Sequence, residues 1–272
     1  MVTASLVARA GVAHTGVAHT GATRAGPFQK APGRLRPGRR VYAVGDVHGH
    51  AGRMDALHAA VARDLADNPA AAGRPVDPVL VHLGDLVDRG PDSAGTVARL
   101  AAGSPLPGVP CVTLMGNHEW MMLDALANSD PDARLLWLQN GGDHSLRSWG
   151  IPARAHPRGW AAAVPPGHLA YLRDLPDYLA LDGYLFVHAG VRPGVPLAEQ
   201  RKSDLLWIRE PFLEWTGPLL PGEDPPAAVH GHTPTAAPVV RAHRIGVDTG
   251  CAFGGPLSCA VLEGDQVRFL QA

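Results

Sequence analysis

PVLVHLGDLVDRG, residues 78–90, passes from an apolar run straight into a charged turn. Residues 78–83 are short, β-branched at Val79 and Val81, and stopped by Gly84, which is the pattern of a buried strand meeting a loop. Working outward, the same pattern appears twice more, as VYAVGDVHG at 41–49 and VPCVTLMGNHE at 109–119. Between these runs, 51–65 carries Met54, Leu57, His58, Val61 and Leu65 at helical spacing, and 93–102 reads as a second helix. Three strand-to-helix units in succession predict an α/β fold with a largely parallel central sheet.

Each of the three strands ends in Gly followed by a side chain able to hold a metal: Gly45-Asp46, Gly84-Asp85 and Gly116-Asn117. Loops at the carboxyl ends of parallel strands share one rim, where such sheets bind their ligands. Asp46, His48, Asp85, Asn117 and His118 are therefore expected to converge, although long helices separate them in sequence. Two later strand ends add His188, in Val187-His188-Ala189-Gly190, and His232, in His230-Gly231-His232-Thr233. The resulting oxygen and nitrogen set contains no thiolate, which excludes a cysteine-type structural zinc site. It suits Mn, Fe or Zn better than Ca or Mg. Two Asp, one Asn and three of these four His make six ligands, too many for one catalytic ion with open positions, and fit two divalent ions, Mn2+ first among them, sharing the carboxylate of Asp85. Such a pair clamps an in-line displacement at phosphorus.

The rest of the chain bounds this reading. The 272 residues are 46% hydrophobic and 18% charged, enough apolar material for a core. Residues 1–40 hold six Arg, one Lys and no acid, with GVAHT repeated at 11–15 and 16–20, and read as a disordered basic extension. The remaining body, 41–272, carries 17 basic and 25 acidic residues, so nucleic-acid binding is not expected. No apolar run approaches the length of a membrane span. Cys111, Cys251 and Cys259 form no CxxC pair and read as buried small hydrophobes in a reducing, cytoplasmic setting. Residues from about 120 to 175 show helical spacing and read as an insertion over one edge of the site, with Trp137, Trp149 and Trp160 as its core or as a wall for a stacked base. After a strand pattern at 178–188, short strands at 227–230, 239–241, 244–247, 257–262 and 266–270 suggest an antiparallel or mixed second sheet. His50, His58, His82 and His230 read as structural.

The five motifs resemble the calcineurin-like metallophosphoesterases, within them the phosphoprotein phosphatases, and most of all the small bacterial serine/threonine phosphatases. They stand in the family's order: Gly45-Asp46-Val47-His48-Gly49, Gly84-Asp85-Leu86-Val87-Asp88-Arg89-Gly90, Gly116-Asn117-His118-Glu119, His188-Ala189-Gly190 and Gly231-His232-Thr233. The resemblance implies a sandwich of two mixed β-sheets flanked by helices. It implies that Asp46, His48 and Asp85 hold one metal and Asp85, Asn117, His188 and His232 the other. Arg89, with Asn117, would bind the phosphoryl group. His118 would protonate the leaving oxygen, and Asp88 would orient that imidazole. Arg209, after Leu206-Trp207, resembles a second phosphate arginine of bacterial members, and Asp248-Thr249-Gly250-Cys251 resembles a segment that supports the floor of the site. Many superfamily members carry a further His where Pro234 stands here. The implied substrate is a phosphoprotein or a phosphorylated small molecule. A symmetrical diadenosine tetraphosphatase shares most motifs but typically lacks the equivalent of Asp88; a non-catalytic scaffold is a third reading.

Overall fold

A computed structural model describes residues 23–71, 73–127, 130–152, 155–220, 222 and 227–272. In chain order the strands are β1 (Arg24–Ala25), β2 (Gln29–Lys30), β3 (Arg39–Val44), β4 (Ala70–Ala71), β5 (Arg74–Pro75), β6 (Asp77–His82), β7 (Cys111–Thr113), β8 (Tyr178–Leu181), β9 (Tyr184–Val187), β10 (Ala227–His230), β11 (Val239–Val240), β12 (Arg244–Gly246), β13 (Ser258–Glu263) and β14 (Gln266–Gln271). The helices are α1 (Ala51–Asp67), α2 (Ser93–Ala101), α3 (Asn117–Ala127), α4 (Pro131–Trp137), α5 (Asp143–Ser148), α6 (Trp160–Ala163), α7 (Pro166–Arg173) and α8 (Lys202–Trp207).

Alternation along the strands builds a sandwich. Val41 and Ala43 of β3 point inward with Val79 and Val81 of β6. They meet Tyr184, Phe186, Val229 and Ile245 of the other sheet. Tyr42, Val44 and Leu80, offset by one residue, face away and pack on Met54, Leu57 and Val61 of α1 and Val97 and Leu100 of α2. The first sheet runs β1-β14-β13-β3-β6-β7, and the second β11-β12-β10-β9-β8. In the first, β3, β6 and β7 are parallel, with Val44 opposite His82 and His82 opposite Thr113. In the second, β9, β10 and β12 are parallel. The carboxyl ends of all six parallel strands open on one rim.

Three expectations need correction. Strands 257–262 and 266–270 do not enter the second sheet: β13 lies antiparallel on β3, and β14 pairs with β13. Short antiparallel strands read alike in either sheet, because pairing is made by backbone. The run 178–188 is a hairpin, β8 and β9, folded at Asp182-Gly183, with Asp182 left-handed at φ 49°. That dipeptide was the available signal. The basic extension does not reach residue 40. Residues 1–22 lie outside the described residues, but β1 and β2 both pair with β14, and Ala31 and Leu35 are buried. β14 is a strand with a free edge, and the N-terminal segment covers it through main-chain hydrogen bonds that need no apolar periodicity. The folded body therefore begins before Val41.

Residues 117–173 are largely helical. α4 starts at Pro131 behind Asp130, whose side chain accepts from Asp132 N at 2.9 Å. Trp137 and Trp160 are buried, and their rings meet edge-on at 6.0 Å, whereas Trp149 is half-buried. Between α4 and α5, across residues 138–142, the chain kinks at Gly141, φ 98°. Cys251 and Cys259 are buried, Cys111 is partly so, and none is in a disulfide. No helix among the described residues is long and apolar enough to cross a membrane.

Candidate active site

The rim holds what its turns deliver. Register sets Gly84 against Gly116 so closely that a Cβ on Gly84 would lie 2.6 Å from Gly116 N. A Cβ on Gly231 would lie 2.1 Å from Asp46 Oδ1. Glycine is needed at both points for the turns to touch. Among the described residues, six non-glycine residues have positive φ, and five of them are His48, Asp85, Asp88, Arg89 and His232. Left-handed backbone costs free energy in non-glycine residues, and here it is gathered at one place.

Asp85 is the centre. Its backbone N–H and those of Leu86, Val87 and Gly116 all donate to the carboxylate of the fully buried Glu119, at 2.7–3.1 Å. Glu119 thus ties the 84–87 turn to the start of α3, a role its place after His118 did not disclose. Burial, reinforced by Asp85, pushes its carboxyl up to about 7.

One oxygen of Asp85, Oδ2, lies 3.5 Å from His48 Nε2, and the other, Oδ1, lies 3.4 Å from His188 Nε2. The opposite nitrogen of each ring is 2.8–2.9 Å from a backbone carbonyl: His48 Nδ1 from Val87 O, His188 Nδ1 from Leu83 O. A carbonyl only accepts, so each Nδ1 carries the proton and donates it. Burial, the leading cause, lowers the pKa of both imidazoles and keeps them neutral. Each Nε2 therefore turns a lone pair toward a carboxylate oxygen with no proton between them, and that of His48 also accepts from Arg89 Nη1 at 2.8 Å. Acceptors held face to face on both sides of one carboxylate are what two cations would join, and the carbonyl-bound Nδ1 fixes each ring for that purpose.

Ligand-capable atoms fall into two groups, each within 4.8 Å: His48, Asp85 and His118, and Asp85, His188 and His232. Asn117 Oδ1 joins the second, 2.8 Å from His188 Nε2 and 3.0 Å from His232 Nδ1. The buried Nε2 of His232 has no hydrogen-bond partner. Asp46 is at the site but in neither group; its carboxylate accepts from His232 N at 3.1–3.2 Å and so spans the two sheets. Burial first, then Asp248 and Asp85, push the Asp46 carboxyl well up, and burial raises Asp248 to about 6. Buried carboxylates with lone pairs turned inward suit divalent ions.

Beside this lies a histidine–aspartate pair. His118 Nδ1 is 2.7 Å from Asp88 Oδ2, with His118 1% exposed and Asp88 fully buried. Burial lowers the His118 imidazole, but Asp85 and Asp88 more than reverse that, so its pKa stands above the ordinary histidine value. Arg89 is half-buried; its Nη1 lies 2.8 Å from His48 Nε2, and its guanidinium stands 5.3 Å from the ring centre of Phe253, an exposed aromatic that no sequence motif marked. Arg209 is exposed, and its charge acts on His232 and Asp248. Cys251 is no nucleophile, because burial pushes its thiol up to about 11. His58, His82 and His230 lie outside the ligand groups, as does His50, whose Nδ1 faces the carbonyls of Val47 and His48.

A family model described as calcineurin-like phosphoesterase matches residues 39–270. Serine/threonine-protein phosphatase 1 of Salmonella typhimurium is 30% identical over 240 residues, covering 83% of this chain and 93% of that protein. A symmetrical bis(5'-nucleosyl)-tetraphosphatase of Methylococcus capsulatus is 24% identical over 279 residues, covering 84% of this chain and 94% of the relative. The crystal structure of a candidate diadenosine tetraphosphatase superposes with a TM-score of 0.59 at 23% identity, over 88% of this chain and 96% of the other. That likeness bears on the fold.

Proposed function

The chain belongs to the calcineurin-like phosphoesterase family, and from that premise we infer that it is a serine/threonine protein phosphatase acting with two divalent metal ions. The observation that carries the dinuclear reading is Asp85, one oxygen toward His48 and the other toward His188. His48, Asp85 and Asp46 would hold one ion, and Asp85, Asn117, His188 and His232 the other. Mn2+ is the expected metal. Bound there, the two ions would supply positive charge to the phosphoryl oxygens and lower the pKa of water.

The chain's own residues do the rest. Arg89 presents a planar fork of donors to the phosphoryl oxygens, joined there by Asn117 and Arg209. His118 holds a proton on a ring whose other nitrogen is anchored to Asp88, and delivers it to the leaving oxygen. A serine alkoxide is a poor leaving group and needs that proton. Asp88 stabilises the protonated imidazole and fixes its plane. The Asp88–His118 contact supports a phosphomonoesterase over the dinucleoside polyphosphate hydrolase reading, and the 30% identical phosphatase relative supports it further. The three free cysteines fit a cytoplasmic setting.

The test is a substrate panel on Mn-loaded protein. Phosphoserine and phosphothreonine peptides should be cleaved with a higher kcat/KM than diadenosine tetraphosphate. The reverse order would replace this reading with the hydrolase one.

A further inference from the structure

The helical insertion reaches the Asp88–His118 pair from behind. Trp137, the last residue of α4, is fully buried, and its indole N–H donates to both oxygens of Asp88 at 3.0 Å. Ser145, in α5 and also fully buried, bridges the same residue: its hydroxyl donates to Asp88 Oδ1 at 2.6 Å and accepts from Asp88 N at 2.9 Å. Between them, Gly141 at the kink accepts from Arg89 N at 3.2 Å. A Cβ on Gly142 would stand 2.5 Å from the Trp137 ring, so the arm packs against its own indole.

These contacts meet a chemical need. Asp88 and Arg89 are consecutive left-handed residues, at φ 70° and 67°, a conformation the turn does not favour by itself. The Asp88 carboxylate is fully buried and accepts from His118, Trp137 and Ser145. Apart from His118 those donors are neutral. Neutral donors hold the carboxylate in place without a second full charge competing for the imidazolium. A cation in their place would weaken the pull of Asp88 on the proton that His118 must carry.

We propose that Trp137 and Ser145 are positioning residues for the leaving-group acid, and that residues 137–145 are a clasp that makes the Asp88–His118 pair depend on the insertion. This rests on the reading of His118 as the acid. Neither residue touches the substrate; each acts through Asp88.

The test uses Trp137→Phe and Ser145→Ala in the full, Mn-loaded chain, with His118→Asn beside them. Each is assayed on a phosphoserine peptide, whose leaving oxygen needs a proton, and on an activated aryl phosphate, whose leaving group does not. For both clasp variants kcat on the phosphopeptide should fall about 10–100-fold, the usual cost of losing a group that orients a reacting one, with KM and the aryl phosphate rate little changed. Adding Trp137→Phe to Asp88→Asn should cost little more, since its target is already altered. If Trp137→Phe proves unstable, Ser145→Ala decides, because it removes one oxygen. Equal losses on both substrates in both clasp variants, with His118→Asn selective for the phosphopeptide, would overturn the clasp alone. Equal losses in His118→Asn as well would overturn the acid reading and the clasp together.

Discussion

Among the described residues three pairs of buried histidines lie edge to face, and two of them compare closely. His48 and His118 meet at 4.6 Å and 86°, His58 and His82 at 5.1 Å and 90°. Residue type, burial and ring geometry barely differ. The surroundings do. The first pair faces Asp85 and Asp88 at the ends of strands. The second lies between α1 and β6, where Nε2 of each ring bonds the other at 2.9 Å and the leading influence on both is burial. Carboxylates raise His118 above the ordinary histidine pKa, while burial drives His58 down to about 4. The same side chain has its pKa raised where two buried carboxylates face it and lowered where burial dominates.

The strongest way to sharpen this contrast is His118→Asn. Turnover of a phosphoserine peptide should fall by about 10²–10⁴, the range general acid catalysis supplies, with much less loss on an activated aryl phosphate and full metal content. Loss of a metal ion in that variant would move His118 into the ligand set, where its position within 4.8 Å of His48 and Asp85 makes it a geometric rival to Asp46.

The second pair should appear in stability rather than in rate. The His58 pKa is lower in the fold than in the unfolded chain, so its neutral state contributes stability that is complete above about pH 6.5 and is lost as pH falls through about 4. Urea unfolding of wild type and His58→Gln over that range should diverge, wild type losing about 3 kcal/mol more. Comparing with the variant removes the contribution of the histidines around Asp85, which the two proteins share. Parallel curves would show that His58 is not buried neutral.

Arg89→Ala should weaken both phosphoester substrates alike, by about 10–100-fold in kcat/KM, since both present the same oxygens to one charged donor. Arg209→Ala should have the smallest effect, a severalfold rise in KM, because the side chain is exposed. A loss as large as that of Arg89→Ala would show that Arg209 swings in over the substrate.

What could be read from the chain follows the same division. Strand-to-turn boundaries at Gly45, Gly84 and Gly116 were legible because apolar runs, glycines and acidic residues are local signals, and parallel register then brings them together. Asp46 was placed at the rim, but its reach across to His232 N depends on how two sheets stack, which no local pattern states. Trp137 read as core, and it is core; that its one polar atom meets Asp88 comes from a contact between residues 49 positions apart. Glu119 was in plain view within a motif, yet its four backbone donors come from two separate turns. β1 and β2 escaped because edge pairing leaves little trace in side chains.

The central claim is that one carboxylate, Asp85, faces two cations. Elemental analysis and Mn titration of wild type and Asp85→Asn test it most directly. Wild type should hold two divalent ions per chain, and chelation should abolish activity that Mn restores. Asp85→Asn should keep its fold and fail to hold both ions. Full two-ion occupancy in Asp85→Asn, or a single ion in wild type, would contradict the account.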